Sequence, residues 1–317
     1  MLLIIWFHSL CFYAGSWWFL HTDIITIWKV IAVPAVEVGL STFFLISGFL
    51  FGFLHIEKGK YQIIPTFILY KTRRIILPYF FWSAFMVAFF SFTPWTDILI
   101  GTNHLWFLLT LFELFIVIIV LSKICICKTS PYIDFIIATA SFFVLYAWKY
   151  LGHHYILSIE NTLYYLPAFF LGFYCAKYQL HHSSKSKTST IVFITCIILL
   201  STLSYLSPIE NTPIGIDLSI RIISCIAAVS ALVMTNKVKI PNKYTSIINN
   251  LDYNSMGIYI FNQIVVFVVL LIPVCQRFLE IHYLIGPFII FFVSFLIPWG
   301  LAVLFNKTKY LSWMIGS

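Results

Sequence analysis

Apolar runs of about 17–22 residues recur along this 317-residue chain, each long enough to cross a ~30 Å hydrocarbon core as a helix. That feature leaves few folds open. Lipid offers no water to backbone N–H and C=O groups, so only helices or a closed barrel can span it. Barrel strands alternate apolar and polar residues, and these runs do not. The expected fold is therefore all-α, a polytopic membrane helical bundle. Ten transmembrane helices are read, at approximately 2–20, 31–54, 75–93, 104–122, 133–148, 161–176, 190–206, 218–235, 255–272 and 285–305. A mean hydropathy of +0.98 with 9% charged residues lies outside the soluble range. No linker or internal repeat divides the chain, so residues 1–317 are read as a single transmembrane domain.

A net charge of +8 raises the question of nucleic acid, and the loops answer it. With the N-terminus inside, fifteen of the 19 basic residues fall on one side: Lys58, Lys60, Lys71, Arg73, Arg74, Lys123, Lys128, Lys177, Lys185, Lys187, Lys237, Lys239, Lys243, Lys307 and Lys309. Only Lys29, Lys149, Arg221 and Arg277 remain for the other. This asymmetry predicts cytoplasmic N- and C-termini, and assigns the basic charge to orientation in a lipid bilayer, not to nucleic acid.

The seven cysteines are scattered and mostly lie within spans, where a thiol behaves as a small hydrophobe. Cys125 and Cys127 are one residue apart, neither a metal spacing nor a plausible disulfide. His153-His154 and His181-His182 are adjacent loop pairs. No metal and no disulfide framework is expected. Met1 leads straight into an apolar run without a basic region or cleavage site, so the start does not read as a signal peptide.

Polar groups inside spans are costly and are functional candidates by default. Three stand out. By helical rise, His8 lies about 10 Å from Met1, Glu113 about 13 Å from Ser122 and Asn262 about 12 Å from Asn254, which puts all three at one level. Each can equally serve as a helix-to-helix hydrogen bond. Ser47, Gly48 and Gly52 in "LISGFLFGF" mark a close approach to the backbone, whether by a ligand or by another helix. Glu37 fits either role. In "YKTRRIILP", Lys71 and Arg74 share a helix face while Arg73 points aside; the cluster suits a topology anchor or a phosphate clamp. "NHLWFLLTLFELF" begins with His104 and Trp106 at the outer surface and carries Glu113 deeper on the same helix.

Several of these stretches together resemble the acyltransferase-3 family of integral membrane O-acyltransferases. The matching pieces are "LLIIWFHS" (2–9), "FFLISGFLF" (43–51), "KTRRIILPYFFW" (71–82), "HLWFLLTLFE" (104–113) and "NSMGIYIFNQ" (254–263). The resemblance implies transfer of an acetyl group from cytoplasmic acetyl-CoA to a hydroxyl of a cell-envelope saccharide, in the bacterial inner membrane. It maps the family's first-span His onto His8, which could take the acceptor hydroxyl proton or carry the acyl group itself; Glu113 would orient His8 or hold it in one tautomer, as the acid partner does in other His-based sites. Lys71, Arg73 and Arg74 would bind acetyl-CoA, with Ser47 and Gly48 beside its thioester arm. His104, Trp106, Asn262 and Arg221 form the substrate-facing set.

Three departures from the family pattern stand out. An Arg about ten residues before the His would precede Met1, so either the start is truncated or that role is missing. Lys71 replaces an Arg and loses the bidentate fork. Asn262 stands where relatives often carry a His, and an Asn cannot act as a base. The rival readings are a secondary transporter or saccharide flippase, and an inactive relative serving as sensor or scaffold.

Overall fold

Every regular element in the computed structural model is helical, and no strand occurs among the described residues. Those residues are 1–16, 25–90, 93–122, 129–152, 157–180, 186–206, 212–235 and 241–316. Cys125, Cys127, the two adjacent histidine pairs, and Lys123, Lys128, Lys185, Lys237 and Lys239 lie outside them.

In chain order the helices are α1 (Leu2–Ala14), α2 (Thr26–Gly52), α3 (Ile64–Lys71), α4 (Leu77–Phe89), α5 (Asp97–Ile100), α6 (Trp106–Leu121) and α7 (Pro131–Tyr150). There follow α8 (Ile159–Lys177), α9 (Ser186–Leu206), α10 (Ile214–Thr235), α11 (Asn242–Tyr253), α12 (Ser255–Leu271), α13 (Pro273–Ile281) and α14 (Gly286–Lys307). A π turn over Phe53–Glu57 extends α2, and another over Thr72–Ile76 joins α3 to α4.

Among the described residues six helices are long and apolar enough to cross a membrane, and α11 with α12, bent by 66°, makes up to seven. Three of the ten expected spans fall short for visible reasons. α1 has 13 residues, α4 has 13 beyond its π turn, and α8 carries Glu160, Asn161 and Lys177 at its ends. The protein is a multi-pass membrane protein.

The glycines of "LISGFLFGF" mark a helix crossing. A Cβ on Gly48 would meet the Phe169 carbonyl oxygen of α8 at 2.1 Å, and one on Gly172 of α8 would meet the Leu45 carbonyl of α2 at 1.9 Å. The two helices are thus in reciprocal backbone contact, the geometry small residues permit. Gly39 likewise packs on Leu3 and Ile4, so α1 begins partway along α2. Gly52 lies thirteen positions farther along α2, about 20 Å. Distance from Met1 is therefore not depth from the inner end of the bundle, and the expected common level of His8 and Glu113 fails for that reason.

Arg221 on α10 serves the fold. Pro167 lacks the N–H that would bond the Leu163 carbonyl of α8. Arg221 Nη2 donates to that freed carbonyl and to the Tyr164 carbonyl, both at 3.2 Å, while Nη1 donates to Phe142 of α7 at 2.8 Å. A buried charge is tolerable when so many acceptors surround it. The expected substrate-facing role of Arg221 gives way to a tie among α7, α8 and α10.

Candidate functional site

α1 and α12 bring His8 and Asn262 together. Asn262 Nδ2 donates to the Ser294 carbonyl of α14 at 2.9 Å, which turns its Oδ1 toward His8. A carbonyl only accepts, so this bond fixes the amide's orientation. His8 Nδ1–H then donates to Asn262 Oδ1, and the imidazole is held in the tautomer whose Nε2 carries a free lone pair. His8 is buried, 6% exposed. Asn262 cannot act as a base, but it orients the His8 imidazole.

His104, at the turn leading into α6, stands edge-on to His8 with ring centroids 5.9 Å apart. α12 pins it from three sides. The Gln263 side-chain oxygen accepts the His104 backbone N–H at 3.0 Å, the Ile260 carbonyl accepts Nε2–H at 3.0 Å, and the Tyr259 hydroxyl donates to the His104 carbonyl. With its proton on Nε2, His104 presents Nδ1 as an acceptor. That atom is buried and has no partner among the described residues. A buried acceptor without a donor leaves a position that a hydroxyl can fill. Tyr259 and Gln263 escaped the sequence reading, although they share the Asn262 face of α12 at helical spacing.

Glu113 does not orient His8. Its carboxylate accepts the Ser158 backbone N–H at 3.0 Å and the Thr162 hydroxyl, so it caps the start of α8. Trp106 stacks on Tyr165 of α8, with centroids 5.9 Å apart, behind the His104 turn. Gly48 is occupied by α8, as described, and leaves no room for a thioester arm; Ser47 beside it is half-buried.

The basic cluster is split. Lys71 Nζ lies 3.7 Å above the Phe115 ring of α6, with Phe67 and Tyr61 at 5.6 and 6.0 Å. Arg74, beyond the start of the wider π turn, donates from Nε to the Gly316 carbonyl at 2.9 Å and from Nη1 to the Tyr70 hydroxyl at 2.6 Å. Arg73 is exposed. Lys71 precedes the crossing part of α4, and burial lowers its ammonium to about 8, with Arg74 adding to the shift.

Two helices measure the separation between these features. From His104, in the turn before α6, to Phe115 is eleven positions, and from Lys71, at the end of α3, through the π turn to Trp82 of α4 is also eleven. Trp82 packs edge-on against Phe261, next to Asn262, with centroids 4.9 Å apart. The paired histidines therefore lie about 16 Å above the lysine along the bundle. No cluster of three or more metal-ligating side chains occurs among the described residues.

A family model described as an acyltransferase domain, of the acyltransferase-3 type, matches residues 1–306. No curated protein and no solved structure matches the chain.

Proposed function

The chain belongs to the acyltransferase-3 family, and from that premise we propose that it moves an acetyl group from cytoplasmic acetyl-CoA to a hydroxyl of a cell-envelope saccharide in a bacterial cell membrane. The family match carries membrane acyltransferase activity in general; donor and acceptor are our reading. The observation that supports it most is the His8 imidazole, its Nδ1–H bonded to Asn262 and its Nε2 unencumbered.

In this reading the acceptor hydroxyl lies between His8 Nε2 and His104 Nδ1. As its oxygen attacks the thioester carbonyl, its proton passes to His8 Nε2, and Asn262 Oδ1 steadies the imidazolium through Nδ1–H. The tetrahedral adduct collapses with cleavage of the C–S bond, and the leaving thiolate takes the proton back from His8. Lys71, Arg73 and Arg74 hold the phosphates of CoA, which are too polar to enter hydrocarbon. The slender pantetheine arm then bridges the ~16 Å of helical rise to the histidines.

The test uses purified protein in sealed, oriented vesicles with acetyl-CoA on the cytoplasmic side and acceptor confined to the other. The expected result is acetylated acceptor with one free thiol released per transfer. Acceptor movement without thiol release would establish the transporter reading, and neither signal would leave the sensor reading standing.

A further inference from the structure

Beyond Lys307 the chain turns back onto the bundle it has just left. Residues 308–316, outside the stretch that the family model matches, form a 3₁₀ turn over Ser312–Ile315 that packs among α4, α12 and α14. Ile315 is buried against Gly257 of α12, and Trp313 stands edge-on to Phe81 of α4 with ring centroids 5.6 Å apart. Two backbone carbonyls of this segment accept from α4 and the turn before it. Met314 takes the Trp82 indole N–H at 2.8 Å, and Gly316 takes the Arg74 Nε–H at 2.9 Å.

The tie to Arg74 has the form of a preorganised anion site. Arg74 is exposed, where an arginine ordinarily samples many rotamers, yet Gly316 fixes its Nε–H and the Tyr70 hydroxyl fixes one Nη1–H at 2.6 Å. Both acceptors are neutral. They hold the guanidinium without cancelling its charge, which a carboxylate would do, and Nη2 has no partner among the described residues. The tip of the fork is left for a phosphate. Gly316 suits this task in two ways: its φ of 73° is one that side chains rarely adopt, and a Cβ there would overlap the Arg74 carbonyl oxygen and the Met256 sulfur.

We propose that residues 308–316 are a positioning strap for the donor site: through the Gly316 carbonyl they hold Arg74 with its fork turned to the phosphates of CoA. Arg74 is the binding residue, and the strap acts through it. By ordering that side chain before the ligand arrives, the strap removes the cost of freezing it on binding, which corresponds to about threefold to tenfold in affinity. The inference rests on the acyl-transfer reading for the identity of the ligand. Its test uses only the phosphate-bearing part of CoA and no acyl transfer, so the two can fail separately.

The protein in lipid nanodiscs is titrated calorimetrically with 3′-phospho-ADP, which is CoA without its pantetheine arm. Gly316→Ala, which pushes the strap off Arg74, should weaken binding about threefold to tenfold. Trp82→Phe keeps a ring against Phe261 and removes the N–H that the Met314 carbonyl accepts. It should weaken binding in the same direction, and it carries the test if Gly316→Ala does not fold. Arg74→Gln removes the group through which the strap acts, so in that background neither change should lower the affinity further. An equal loss in both backgrounds would make the segment a support of the fold alone and overturn the proposal. Unchanged binding by Gly316→Ala, or no binding of 3′-phospho-ADP to the unmodified protein, would overturn it as well. Strap-dependent binding without thiol release in the vesicle assay would defeat the acyl-transfer reading and leave the strap standing.

Discussion

α2 crosses α8 and α1 crosses α12 in the same bundle, yet the two crossings are built differently. At the first, Gly48 and Gly172 each press against the other helix's carbonyl, and phenylalanines such as Phe169 and Phe173 close over them. The contact is dry. At the second, His8 and Asn262 meet side chain to side chain, and Asn262 is tied onward to Ser294. There the contact is hydrogen-bonded and leaves one ring nitrogen of His8 uncommitted. Polar or small residues in a span therefore carry two separate meanings: glycines set how closely helices approach, and a hydrogen-bonded pair such as His8 and Asn262 holds a ring nitrogen ready for the transfer proposed above.

The sharpest way to test that division is to remove the histidine. His8→Ala should cut acetyl transfer by about 10²–10⁴-fold while the protein stays folded and inserted, since its removal takes away general acid–base help. Asn262→Leu should act in the same direction and less strongly. It leaves His8 Nδ1–H without its acceptor, about 1–3 kcal/mol, and lets the ring choose the wrong tautomer. Both are read as kcat at saturating acetyl-CoA. Transfer at the normal rate by His8→Ala would make this crossing as structural as the other.

Gly48→Ala probes the opposite side of the comparison. A methyl group 2.1 Å from the Phe169 carbonyl oxygen forces α2 and α8 apart. The expected cost is about 1–3 kcal/mol of stability, typical of overpacking, seen as a lower thermal midpoint in detergent. Activity per folded molecule should hold. Had Gly48 faced the donor's thioester arm, the same change would instead raise the KM for acetyl-CoA with stability untouched.

The sequence made the helical class legible because apolar length alone decides it. It also made His8 and Asn262 legible, since such groups are rare within spans. The expected common level of these two holds, since they are hydrogen-bonded, but the contact itself was not readable across the 254 positions that separate them. Glu113 misled for a related reason. An acidic group on an apolar helix looks catalytic until its partners are known, and here they are the N-cap Ser158 and Thr162 of α8, 45 and 49 positions away in sequence. Arg221 resisted reading because its purpose depends on Pro167, on another helix. The basic cluster was legible as charges, but the π turn over Thr72–Ile76 changes which of them point together.

The smallest expected effect concerns the lower rim of the dry crossing, where Phe51 of α2 packs on Phe115 and Phe173 and Lys71 sits over Phe115. Burial brings the Lys71 ammonium down to about 8, whereas an ordinary lysine titrates near 10.4. The charged form is the one that attracts phosphate, and it prevails below that value. Donor affinity should therefore be full near pH 7 and fall as pH rises through 8, by up to about tenfold at pH 9, because one charge-assisted contact is lost. Arg73 and Arg74 supply the remainder. Lys71→Arg should flatten this profile by keeping its charge, and Lys71→Met should flatten it at the weaker level. Calorimetric titration with CoA from pH 6.5 to 9, a window chosen to span about one unit either side of the lysine, measures all three. If the unmodified protein binds CoA equally across that range, Lys71 belongs to the aromatic packing beneath it and the phosphates are held by the arginines alone.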